Sequence, residues 1–163
     1  MLNRITKRAA FTALIAVFVL HNMEEAYSIC RFPAENLFSF FQPLQCNQFL
    51  WAVSILTIVV LFVYGIAMRT IRPKIYLFVS TAIASSLLLN VFVPHSLVSI
   101  YTMKYTPGIF SAAMLNFPLC ILVLFKNKES YSTGKQMLFH SMGGILIGYI
   151  LFAVAVSLVK HLI

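Results

Sequence analysis

Residues 9–29 read AAFTALIAVFVLHNMEEAYSI, and the fold turns on how far this segment runs as one helix. Its uninterrupted apolar part, Ala9 to Leu20, is twelve residues, about 18 Å of helix at ~1.5 Å per residue. The hydrocarbon core of a bilayer is about 30 Å thick. A helix that crosses it must therefore carry His21, Glu24 and Glu25 into its far third. An ionised side chain costs roughly 2.5–3.5 kcal/mol at the core centre on insertion scales, and less near the edge. Such groups turn inward and find partners, or the carboxyls stay protonated. At ~100° per residue, Glu24 falls ~60° to one side of His21 and Glu25 ~40° to the other. All three share one face.

The rest of the chain supports the membrane reading. It is 61% hydrophobic with 15 Phe and only 10% charged residues, where a soluble domain carries about a quarter. The net charge of +8 does not indicate a nucleic-acid partner, because the basic residues form short clusters between apolar stretches, as anchors of membrane helices do. Five spans are expected, at about Ala9–Ile29, Gln48–Met68, Ile75–Val93, Gly108–Phe125 and Met137–Val159. Arg4, Lys7, Arg8, Arg69, Arg72, Lys74, Lys126, Lys128 and Lys135 fall on one side, and Arg31, Lys104 and Lys160 on the other. Nine against three predicts a cytoplasmic N-terminus and an outside C-terminus. The expectation is one all-α, polytopic domain over residues 1–163, in the plasma membrane, with its acidic cluster facing the extracytoplasmic side.

Smaller signals concern packing. Gly144-x-x-x-Gly148 is a close-approach motif that serves packing within the chain or a homodimer. Thr81, Ser85 and Ser86 are placed to hydrogen-bond a neighbouring helix or their own backbone. Pro118 predicts a kink in the fourth span. Cys30 and Cys46 fall on the predicted outer side, where a disulfide is allowed, while Cys120 reads as a packed thiol. No CxxC pair is present, so a zinc knuckle is excluded. The aromatic-rich loop between Cys30 and Asn47 is expected at the interface. An alternative for residues 1–28 is a signal peptide cleaved after Ser28.

A histidine with a carboxylate three or four residues on is a recurring way to hold a metal on one helix. The H-x-x-E-E pattern also differs by one residue from the H-x-x-E-H metallopeptidase signature. One helix supplies two ligands comfortably, so a third must come from elsewhere. The third span ends on the same side, and its stretch NVFVPHSL brings Asn90 and His95 there. His140 lies on the opposite side, and His161 at a fraying helix end.

HNMEEAY followed by RFP resembles the HXXEE-domain membrane proteins, a family named for this motif. Two further marks agree in order along nearly the whole chain. One is a tyrosine-x-proline-glycine-x-x-serine, here Tyr105, Pro107, Gly108 and Ser111. The other is an asparagine-x-x-x-histidine, from which this chain departs, since Asn90 and His95 are five apart; the extra residue falls near Pro94. The resemblance implies a shared fold and site and little chemistry, since the family is known as one of unknown function. Physically, Pro107-Gly108 shapes a turn, and the helix start beyond it suits an anion, a developing oxyanion or a plain cap.

Two function classes fit. The first is a membrane-embedded hydrolase using a divalent metal, zinc by preference, held by His21, Glu25 and His95 as a His₂Glu set with an open position. Glu24 would be the general base, although geometry also allows the two glutamates to exchange roles. Tyr105 or the helix start near Gly108 would polarise the substrate, a lipid-like molecule or a membrane-borne peptide. The second is a small proton- or ion-coupled transporter, or a non-catalytic accessory protein with a structural Glu/His cluster.

Overall fold

Each apolar segment becomes one helix, and local chemistry sets several of the ends. Thr6 accepts a hydrogen bond from the Ala9 amide at 3.1 Å and caps the first helix, and Pro73 opens the third, where a missing N–H costs nothing. The computed structural model describes residues 5–31 and 45–162, and among these it is all-helical. Five helices are long and apolar enough to cross a membrane: α1 (Lys7–Ile29), α2 (Cys46–Arg69), α3 (Pro73–Thr102), α4 (Ile109–Lys128) and α5 (Gly134–Leu162). Arg4 and most of the aromatic-rich loop, with Phe32 and Pro33 of the RFP segment, lie outside the described residues.

Side-chain contacts fix an up-and-down bundle. The Cys30–Cys46 disulfide joins α1 to α2 at one end, and Thr12 meets Tyr64 at 2.9 Å towards the other. Lys7 donates to Ser130, and the Arg8 guanidinium lies over the Tyr76 ring. The basic links between α2 and α3 and between α4 and α5 therefore share the end where α1 starts. The polar stretch of α1 points to the opposite end.

Phe11, Leu14, Ile15 and Phe18 of α1 form the centre of the core, with Tyr76, Ala84 and Leu87 of α3 and Cys120 and Val123 of α4. The outward faces are apolar too: Phe62 is 69% exposed and Phe139 74%, as lipid contact requires. Glycines bring α5 onto α3. A Cβ on Gly144 would lie 2.3 Å from Ala82 Cα, and one on Gly148 2.9 Å from Ser86 Oγ. Ser86 donates across this contact to the Gly144 carbonyl at 2.7 Å. Near the basic end, Asn127 donates to Ser80 and Thr81, and the Tyr131 hydroxyl meets both Thr81 and His140. His140 is thus committed to a local polar network.

Two proline-linked breaks shape the far end. The third helix breaks at Val93, where its apolar run ends, and a further helical segment carries the chain on to Thr102. At the break Val93 is extended (φ −132°, ψ 113°), the conformation favoured before a proline. In α4 the expected kink appears as a π-helical turn over Ala112–Asn116, just ahead of Pro118. The amide-less proline cannot close a normal turn, and a wider one absorbs the defect. The two breaks touch.

Candidate metal centre

Helical spacing puts His21, Glu24 and Glu25 on the inward face of α1, and α3 and α4 supply what they meet. His21 is buried (1% exposed), and its Nδ1 lies 2.9 Å from Ser111 Oγ at the start of α4. On the other side of the ring, Nε2 is 3.4 Å from the Asn90 amide nitrogen. His95, also 1% exposed, packs edge-on against His21 with ring centroids 4.9 Å apart. His95 Nε2 is 3.9 Å from Glu25 Oε1. Pro107 lies beside His95, yet neither ring nitrogen has an aligned hydrogen-bond partner among the described residues.

The break at Val93 explains why Asn90 and His95 meet at one site. Five residues of unbroken α-helix would turn them about 140° apart. The extended Val93 redirects the chain, so that Asn90 reaches His21 Nε2 and His95 packs on the same ring.

The connection between α3 and α4 closes over the two imidazoles. Gly108 has φ +81°, and a Cβ there would sit 2.8 Å from His21 Cε1 and 3.0 Å from His95 Cε1. Only glycine satisfies both the left-handed backbone and the close approach. Glu24 is held from the same segment. Its Oε1 accepts from the Tyr105 hydroxyl at 2.5 Å and its Oε2 from the Ser111 amide at 2.9 Å. The anion at this helix start is therefore the chain's own carboxylate. Burial of the Tyr105 hydroxyl, and then its bond to that carboxylate, hold it above the ordinary tyrosine range, so it stays a donor.

One ligand atom each from His21, Glu25 and His95 lies within 4.8 Å of the other two. Ligands ~2.1 Å from a tetrahedral zinc are ~3.4 Å apart, so the widest pair would close by ~1.4 Å. Two neutral imidazoles and a carboxylate are the right donors for zinc, and an inward His95 with both nitrogens unpaired is the kind of group such an ion satisfies. His21 also carries outer support of the sort metal-bound histidines use, through Ser111. Every site residue read from the sequence lies at this end: His21, Glu24, Glu25, Asn90, His95, Tyr105, Pro107, Gly108 and Ser111. His21, Glu25 and His95 form the compact set, while Glu24 faces Tyr105 and Ser111.

Three features escaped the sequence reading. Asn22, next to His21, is buried and donates to Thr57 of α2 at 2.7 Å. A lone amide in an apolar run was a signal for an interhelical bond. Ser111 has a specific partner in His21, where spacing alone gave it only a place in a motif. A cavity also lies between α1, α2, α3 and α5, and no one-dimensional pattern announces a void.

Fold and site together define a class: a helical protein with five spans' worth of apolar helix and a buried His/Glu centre closed by a Tyr-x-Pro-Gly connection. Residues 12–123 match the family model described as "Protein of unknown function with HXXEE motif", and the chain belongs to that family. It is 25% identical over 143 residues to the "Uncharacterized protein YrkK" of Bacillus subtilis (strain 168), covering 86% of this chain and 87% of the relative. No solved structure matches the chain significantly.

Proposed function

We propose that the chain is a membrane-embedded, divalent-metal-dependent hydrolase acting on a lipid-like substrate. The observation that carries this reading is the convergence of His21 and Glu25 of α1 with His95 of α3, the buried His95 having no aligned hydrogen bond at either nitrogen among the described residues. Bound there, zinc would supply Lewis acidity and a water acidic enough to be deprotonated near neutral pH. Glu24 would be the general base, oriented by the Tyr105 hydroxyl that donates to it. In such a hydrolysis the water oxygen would replace the leaving group on carbon or phosphorus, and the proton taken up by Glu24 would go to the leaving group.

The excess of basic residues at the opposite end favours an orientation with that end in the cytoplasm. The centre then lies towards the outer leaflet of the plasma membrane. A second reading has one observation in its favour: the hydrogen-bonded series Tyr105–Glu24–Ser111–His21 would also suit a structural core in an accessory protein or a proton path.

Elemental analysis of the detergent-purified protein separates the two. About one zinc per chain, lost in His21→Ala and in His95→Ala, is the expected result. A folded, zinc-supplemented sample with no bound divalent ion sinks the metallohydrolase and leaves the structural reading.

A further inference from the structure

A cavity of about 300 Å³ runs between α1, α2, α3 and α5 and has two unlike ends. At one end Asn22, Glu25 and Asn90 line it, so it opens onto the carboxylate and the amide of the centre described above. At the other end its walls are Val63, Phe78 and Val79. Along the helical part of α3 the lining runs from Phe78 to Asn90, about 18 Å at ~1.5 Å per residue. Between the ends, Ser86 lines the wall with its hydroxyl already donated to the Ala82 and Gly144 carbonyls, and Tyr149 enters at mid-height. The register of α5 on α3, Gly144 at Ala82 and Gly148 at Ser86, keeps the two helices parallel along this length. The void is therefore long, apolar over its depth, and polar at the end where Glu25, one of the three candidate ligands, lines it.

We infer that the substrate is a single-chain lipid, with its hydrocarbon tail in this cavity and its carbonyl or phosphoryl headgroup at His21, Glu25 and His95. The inference rests on the metal-centre reading and adds the substrate's class and direction of binding. Volume decides the chain number. At ~30 Å³ per water-sized unit, 300 Å³ holds on the order of ten carbons, enough for part of one chain and too little for two side by side. A chain leaving the bilayer for the cavity exchanges one apolar surrounding for another, so little hydrophobic energy is gained. The cavity selects shape, and the polar end supplies the recognition.

The test is photolabelling in detergent with lysophosphatidylcholine carrying a diazirine near its chain end. The two-chain phosphatidylcholine with the same group is the comparison, and labelled positions are mapped by mass spectrometry. The expected result is single-chain label on the segments holding Val63 and Phe78, at least tenfold weaker in Val59→Trp, whose side chain fills the cavity from α2. The two-chain probe should label only outward residues such as Phe62 and Phe139. Single-chain label confined to those outward residues, which is annular lipid only, overturns the inference. So does undiminished cavity label in a folded Val59→Trp. Should that variant fail to fold, Val59→Phe makes the same comparison. Zinc measured on the same samples reports the centre separately. Bound zinc without cavity label sinks the tail site alone, and cavity label without zinc sinks the metal centre.

Discussion

At the scale of single residues, Gly108 is constrained both by its backbone and by its neighbours. Its left-handed backbone alone costs an alanine about 1–2 kcal/mol, and the added methyl would press on both imidazoles. Gly108→Ala is expected to fold with a lowered melting temperature and, on the metal-centre reading, to retain well under half of the zinc that the unchanged chain would bind. Full zinc content in that variant would show that the connection does not shape the centre. The residues that meet here were legible in the sequence as residue types: an acidic pair and two histidines stand out in a chain with four acidic residues and four histidines. Their division of labour was not legible. Glu24 and Glu25 are neighbours on one helix, and nothing in the string HNMEE says which of them faces Tyr105 and Ser111 and which faces His95. That depends on the rotation of α1 about its axis, which is set by partners 70 to 87 residues away.

At the scale of helices, small residues govern how close two axes come. Gly144→Ala places a methyl 2.3 Å from the backbone of Ala82, so α5 must move off α3, at a cost of about 1–3 kcal/mol by analogy with overpacked cores. Gly65, where an added methyl would meet nothing within 4 Å, is the control. Gly65→Ala should be neutral or stabilising by up to about 1 kcal/mol. Thermal denaturation of the two variants in one detergent checks both, and equal melting temperatures would contradict the packing. Span number was readable because twenty-residue apolar runs admit one structure in lipid. The segment beyond Pro94 was not. The helix breaks at Val93, as a following proline favours, and the next segment resumes in a direction that returns His95 to the centre. A proline's local effect is written in the sequence, whereas its rescue is a tertiary matter.

For the whole molecule, the disulfide closes a sixteen-residue loop and ties α1 to α2 at the end where the centre lies. Cys30→Ser should lower stability by about 3 kcal/mol on a chain-entropy estimate. The native protein should label with a membrane-impermeant maleimide only after reduction. Labelling without reductant would mean the pair is open. A slower consequence follows from where the centre's parts sit along the chain. α1 is the least hydrophobic of the five helices, with a mean hydropathy of 1.3 against 1.9 to 2.5 for the others. Glu24 is synthesised 81 residues before Tyr105, a delay of about 4–16 s at ~5–20 residues per second. During biogenesis the nascent chain must therefore park an acidic helix without its partners. Expressed alone with a glycosylation reporter, α1 should integrate in only a minor fraction of molecules, and Glu24→Ala with Glu25→Ala should raise that fraction severalfold. The later helices would then act as chaperones in cis, drawing the first one into the membrane after the fact.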